Sequence, residues 1–451
     1  MNSSPTWSQT FRSYLDKRLL WVFMLGCASG FPWVLIGSNM SGWLTDAGLT
    51  RSAIGYFGSV FIVYAINFLW APLVDRVKLP LFHRWLGQRR SWIFCCQAIV
   101  LICTFAIAKF NPANSLMVTS MLALCIATAS ATQDIAIDAF RIDSFSKADS
   151  HRLPQASAMA VIGWWTGYSL PGYLAFINAD AIGWNGVYLG MCGIVALLML
   201  FTLLVKEPIT DRDALQQQAE QRHAQYLGTH SPIVAWLTVT VAEPFIDFFR
   251  RNGVRVAITL LMFVFLFKIG EAFLGRMSIP FYREIGFSNE QIGHYSKLIG
   301  WGATVLFTLV GSAFNVRFGV IKGLMLGGVA MASSNLMFAW IASTGPDEQL
   351  FLATIIVDNF TSAFATVAFV SFLTTLTGQA FSATQYALLA SLGNLGRTTL
   401  ASFSGSLADM LNSWPLFFVL TAIMVVPSLI MLISLRGYFG RILQDNHDSK
   451  H

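Results

Sequence analysis

Residues 128–143 read TASATQDIAIDAFRID and close an apolar stretch that otherwise suits lipid. Asp134 and Asp138 are spaced i, i+4, which puts both carboxylates on one helical face, a turn apart. Two acids that close disfavour double ionisation, so one of them is poised to hold a proton. A proton-driven carrier needs that chemistry. The alternative for Asp138 is a pairing with basic loop residues such as Arg141, three positions on. Other charges lie deep in apolar sequence: Lys268, Glu271, Arg276, Lys297, Asp358 and Arg397. Each costs about 2.5–3.5 kcal/mol at the centre of a membrane helix, which makes such residues candidates for function. Lys268 and Glu271, spaced i, i+3, either clamp a substrate or neutralise each other. Arg397 offers a planar fork for a carboxylate, or else a salt bridge to an acid elsewhere in the bundle. Trp164, Trp165 and Tyr168 can stack on sugar rings or face lipid. No nucleophile–base–acid set and no metal-ligand spacing occurs, which argues against an enzyme and leaves no cofactor or metal to expect.

The elements that must hold these residues follow from composition. Of 451 residues, 55% are hydrophobic and 12% charged, with a mean hydropathy of +0.59. Soluble domains carry roughly 25% charged residues. Lipid must therefore be the solvent for much of this surface. Stretches of about 20 apolar residues span a bilayer. Twelve are readable, at 19–44, 52–74, 92–110, 115–140, 154–178, 185–205, 254–282, 290–313, 322–343, 349–376, 384–410 and 415–438. The expected fold class is an all-α polytopic membrane protein of twelve transmembrane helices. All six cysteines fall within spans and read as buried free thiols.

Lysine and arginine set the orientation. Arg76, Lys78, Arg84, Arg89 and Arg90 crowd one loop, and Arg141, Lys147, Arg152, Arg317 and Lys322 fall on the same side, whereas the opposite loops offer Arg51 and Arg283. Both termini are expected in the cytoplasm. The net charge of +6 is explained by this bias and implies no nucleic-acid partner. Residues 1–18 are polar and the first span lacks a small-residue cleavage site, so the first helix reads as uncleaved.

The polar stretch 206–253 divides the chain into halves, 1–205 and 254–451. Its second part, with Phe245, Ile246, Phe248 and Phe249 beside Arg250 and Arg251, suits an amphipathic helix on the membrane surface. The halves echo each other. Asp46, Gly48, Thr50, Ile54 and Gly55 recur as Glu284, Gly286, Ser288, Ile292 and Gly293; Gln155, Ala160 and Gly163 recur as Gln385, Ala390 and Gly393. In that register Arg397 stands where the first half has Gly167. Two parallel six-span repeats describe the major facilitator architecture, with substrate bound near the midplane between halves that rock. The loop PLVDRVKLPLFHRWLGQRR is similar to that superfamily's loop between spans two and three. It implies gating by Asp75 and Arg76 above the Arg89-Arg90 pair, with Arg141 a third gate candidate. The glycine that usually opens that motif is absent. Proline at Pro32 and Pro171 marks kinks in spans one and five.

Across nearly the whole chain, ASGFPWVLIGSNMSGWL, FLWAPLVDR, ATQDIAIDAFRID, FLFKIGEAF, GFSNEQIGHYSK and FSATQYALLASLGNLGR together resemble the AmpG family of permeases. The resemblance implies a proton-coupled carrier of GlcNAc-1,6-anhydro-MurNAc and its peptides across the inner membrane, serving cell-wall recycling and bearing on β-lactamase induction. It implies functional roles for Gly30, Gln133, Asp134, Asp138, Lys268, Glu271 and Gln385. With the residues above, the expected cargo ligands are Gly30, Gln133, Lys268, Gln385, Arg397, Trp164 and Tyr168. Asp134, Asp138, Glu271 and Asp358 are expected to couple protons. The partners are cargo, protons and the bilayer, and a monomer is expected. Glu271, where bacterial members often have Asp, and the added Arg276 leave room for another large polar cargo such as a siderophore.

Overall fold

In the computed structural model, the described residues are 14, 16–47, 57–111, 115–145, 149, 152–208, 243–287, 291, 295, 299–377, 381–401, 403–435 and 437. Among them, eight helices are long and apolar enough to cross a membrane. The other four expected spans fall on helix that is interrupted, merged or more polar. Span one is α1 (Lys17–Val34), a π-helical turn (Leu35–Asn39) and α2 (Met40–Asp46). Span two is broken: α3 (Val63–Ile66) lies between 3₁₀ turns, and α4 (Ala71–Arg76) follows with Pro72 in its first turn. Proline lacks the N–H that would continue the ladder, so the break falls there. A short α5 (Phe82–Leu86) leads into α6 (Gln88–Ile107), and α7 (Leu116–Asp143) carries the paired acids. Spans five and six form one long run, α8 (Leu153–Leu204), divided at Gly183 with φ 69° and ψ 161°. Only glycine visits that backbone region freely.

The linker ends in the amphipathic α9 (Glu243–Asn252), whose Phe248 is buried while Arg250 is exposed. Then follow α10 (Val254–Leu266), α11 (Ile269–Glu284), α12 (Gly300–Phe318), α13 (Val320–Thr344), α14 (Glu348–Leu376), α15 (Ser382–Ala401), α16 (Ser404–Leu411) and α17 (Trp414–Ile423). The expected position Lys297, the linker 209–242 and most of the first repeat echo lie outside the described residues. All six cysteines are free; Cys96 and Cys103 are buried as expected, but Cys125 is exposed on α7.

One crossing fixes the geometry of the first half. A Cβ on Gly30 would sit 2.1 Å from the Trp164 carbonyl oxygen, and one on Gly167 would sit 2.1 Å from that of Cys27. Gly26 and Gly163 meet at the same crossing. Spaced i, i+4 on each helix, these glycines let α1 and α8 touch backbone to backbone, which is how small residues drive helix association in lipid. Gly30 therefore packs helices in this structure, its backbone closed over by the Trp164 carbonyl. Gly30→Leu is expected to force the pair apart. Overpacking of this kind costs about 1–3 kcal/mol or more, and should show as a lowered unfolding temperature of purified protein, with Gly30→Ala intermediate.

Candidate functional site

The end of the bundle that carries residues 77–87 is closed by buried ions. Gly87, with φ 81°, turns the chain into α6, and the Glu207 carboxylate accepts from the Arg89 and Arg90 amides at 2.7 and 3.1 Å. That cap aims Arg89 inward, where it is 0% exposed. Its guanidinium donates to Asp75 at 2.9 Å, to Asp143 at 2.9 Å and to the Ser382 hydroxyl at 2.9 Å. Asp75 reaches on into the second half, accepting from the Thr384 amide at 2.8 Å and its hydroxyl at 2.7 Å. A carboxylate thus sits on the N-terminus of α15, where the helix leaves amides unsatisfied and the dipole favours negative charge. Ser382 closes the loop by donating to Asp143 at 2.8 Å.

Asp75 is placed as expected, but the cation it holds is Arg89. Arg76, one residue further round α4, is half-buried. Arg89, from the basic pair at the start of α6, is the cation that Asp75 and Asp143 share. Asp143, Ser382 and Thr384 were missed; their only signal was a hydroxyl–acid complement at two helix ends that are far apart in sequence.

Arg141 forms a second tie. It is buried and donates to Asp138 at 3.0 Å, to Ser157 at 3.2 Å and to Thr374 of α14 at 2.7 Å. Its guanidinium also lies 4.9 Å from the centre of the Tyr386 ring on α15. The alternative reading of Asp138, pairing with an arginine, is the arrangement observed. Two further contacts join the halves: Ser391 donates to Asn67 at 2.7 Å, and Ser312 to the Pro154 carbonyl at 2.9 Å. Gln385 lies at the surface-helix end of α15. Its amide ends are held by Arg251 at 2.8 Å and Asp247 at 2.9 Å, so it braces the surface helix α9 against α15.

Deeper in, each half presents polar groups from its own helices. In the first half, Asp134 accepts from the Ser29 hydroxyl at 2.6 Å and is half-buried, while Gln133 is buried and donates to the Ala28 carbonyl at 2.7 Å. Ser29 and Trp33 are spaced i, i+4 on α1, so an aromatic cluster follows Asp134 by one turn. Trp33 packs on Tyr64 at 4.5 Å and on Trp164 at 5.8 Å; Trp164 stacks on Tyr168 at 5.4 Å with 13° between planes. Trp164 and Tyr168 are half-buried and Trp165 is exposed. Trp33 and Tyr64 had not been singled out, since single aromatics in apolar sequence carry no signal.

In the second half, the Lys268 ammonium lies 2.9 Å from Glu271 and donates to Thr366 at 2.6 Å. Glu271 accepts from Ser362 at 2.8 Å. Asp358, half-buried on α14, is approached by Ser334 at 3.4 Å and has Glu271 and Lys268 as charged neighbours. Lys268 and Glu271 pair at their i, i+3 spacing, and Asp358 of α14 joins them from a distant part of the chain. A cavity of ≈ 150 Å³ opens beside Lys268, with Thr366, Tyr386 and Asn394 as its other polar lining. Arg397 lies on α15 one turn beyond Gly393, with its side chain outside the described residues, as is that of Arg276.

This arrangement can bind a polar solute between two walls, one aromatic and acidic, the other cationic and acidic, above a basic end that is shut. The sequence profile of the Major Facilitator Superfamily matches residues 22–284. The chain is 33% identical over 422 residues to "Putative transporter AmpG 4" of Rickettsia conorii, covering 94% of this chain and 97% of that one. It is 31% identical over 433 residues to the "Anhydromuropeptide permease" of Escherichia coli K12, covering 95% and 82%. The solved proton:xylose symporter XylE bound to 6-bromo-6-deoxy-D-glucose shares the fold, with a TM-score of 0.68 and 14% identity over 94% of this chain and 96% of that one. The chain is a multi-pass membrane transporter that belongs to the major facilitator superfamily and, within it, to the AmpG family of permeases.

Proposed function

We propose that this protein imports GlcNAc-1,6-anhydro-MurNAc and its peptides across the inner membrane in symport with protons, acting as a monomer by alternating access. The observation that carries the cargo is the 31% identity, over 95% of the chain, with a protein named as a permease for anhydromuropeptides. The basic loops assign the closed end and both termini to the cytoplasm. In this state the Arg89 and Arg141 clusters hold that end shut, and cargo enters from the opposite side. Sugar rings stack on Trp164 and Tyr168, and Gln133, Asp134 and Lys268 take the polar groups. Arg397 is a further cargo ligand in this scheme.

Charge balance supplies the coupling. Lys268 offsets one of Glu271 and Asp358, so an anionic cargo beside them favours protonation of the other acid in a site poor in water. Asp134 holds a proton from the first-half wall, and protonation of Asp138 would release Arg141 from its partner and loosen the gate. Loading with proton and cargo then favours opening at the basic end, where both leave. The test is uptake of labelled disaccharide by cells lacking their own permease, then by vesicles. A protonophore is expected to abolish accumulation, whereas replacing sodium leaves it unchanged. Loss on sodium removal alone would refute proton symport, and no uptake at all would refute the cargo.

A further inference from the structure

The cavity beside Lys268 is a half-open pocket large enough for one small group. Its volume is ≈ 150 Å³, and its walls on α14 and α15 include Phe369, Leu373 and Ala390, with Lys268 and Thr366 to one side. A hydrocarbon-lined cavity of that size admits a benzene-sized guest, about six heavy atoms. This one differs in carrying a charge: Lys268 is 7% exposed and held by Thr366 at 2.6 Å and Glu271 at 2.9 Å. An ammonium shielded from water attracts a carboxylate more strongly than one on a surface. The apolar wall in turn suits a methyl group and would penalise a second polar one. A carboxylate, one tetrahedral carbon, its methyl and one ether or amide heteroatom make up about six heavy atoms, the capacity of such a cavity.

We infer that the cavity is a subsite for a 2-substituted propanoate end of the cargo, a lactyl or alanyl group, with Lys268 taking the carboxylate and Phe369 and Leu373 the methyl. The inference rests on the muropeptide reading above and deepens it. It places the acidic end of the cargo in the second half, opposite the Trp164–Tyr168 shelf of the first. A cargo lying across both walls is then gripped by both halves at once.

Gly393 gives a way to fill the pocket without touching its charge. It lines the cavity, and a Cβ there would meet the Phe369 ring at 3.6 Å, an ordinary contact. Alanine is therefore accommodated, and the longer leucine side chain must occupy cavity space. The probes are labelled GlcNAc-1,6-anhydro-MurNAc as its free lactyl acid and as the lactyl methylamide, taken up by vesicles. Wild type and Gly393→Ala are expected to prefer the acid by about tenfold in uptake efficiency, the size of one contact to a charged group. Gly393→Leu is expected to bring the ratio to about one, lowering uptake of the acid more than that of the amide, since both probes lose the methyl contact and only the acid loses the charged one. Ala390→Leu, on the same wall, repeats the test should Gly393→Leu fail to fold. A wild type indifferent to acid and amide overturns the subsite, as does a filled cavity that lowers both probes equally. A wild type that takes up neither probe refutes the muropeptide reading itself.

Discussion

Arg89→Met is expected to abolish transport and to release the basic end from its closed state. Arg89 is fully buried, and its guanidinium stands 2.9 Å from both Asp75 and Asp143. Methionine keeps most of the volume and removes the charge, leaving two carboxylates buried without their common cation. Breaking a buried pair in this way costs about 3–5 kcal/mol, because the stranded charge is the expensive part. Much of that cost is borne by the closed state, where Asp75 and Asp143 are sealed against α15. An equilibrium moved by that amount shifts about 10²- to 10⁴-fold. Uptake should fall to background, and spin-label distances between the basic ends of α6 and α15 should lengthen in the resting protein. Arg89→Lys keeps the charge but presents one ammonium where a fork bridges two acids, so it should retain partial uptake. Adding Asp143→Asn to Arg89→Met should recover part of the closed population. Wild-type distances in Arg89→Met would dismiss the lock.

The second large effect is expected at Asp134. Asparagine matches the carboxylate in shape and still accepts from Ser29, now 2.6 Å away, but it neither titrates nor carries charge. If Asp134 moves the proton, Asp134→Asn should insert normally and lose gradient-driven accumulation by about 5–150-fold, the span of ordinary coupling energies. Exchange of labelled for unlabelled cargo down its own gradient should change little, because that reaction needs no net proton movement. Accumulation and counterflow both at wild-type level would return Asp134 to a purely structural bond with α1. Loss of both would make it a cargo ligand instead.

Much of this protein was fixed before any chain folded. Scarcity of charge requires lipid, and the length of the apolar stretches requires spanning helices. The segments carrying Asp134, Lys268 and Asp75 were legible because a charge in apolar sequence is costly and therefore conspicuous. The i, i+3 spacings of Lys268 with Glu271 and of Asp138 with Arg141 were readable too, since helical geometry alone makes those partners neighbours.

Tertiary structure decided whatever depends on which faces of distant helices meet. Asp75 could not be matched to Arg89 rather than Arg76 from the loop alone, because that choice depends on the turn at Gly87 and the Glu207 cap. Nor could Asp143 and Ser382, 239 positions apart, be joined without the approach of α7 to α15. Gly30 reads as a site residue in sequence because a glycine gives no sign of what presses on it; the Trp164 carbonyl does. Gln385 went the same way, since its partners Asp247 and Arg251 sit on a surface helix whose docking no local pattern encodes. Local spacing determines contacts within a helix. Contacts between helices wait on how backbones pack, and in lipid that packing is set by small residues, kinks and a few buried polar bonds rather than by a hydrophobic pattern that every helix shares.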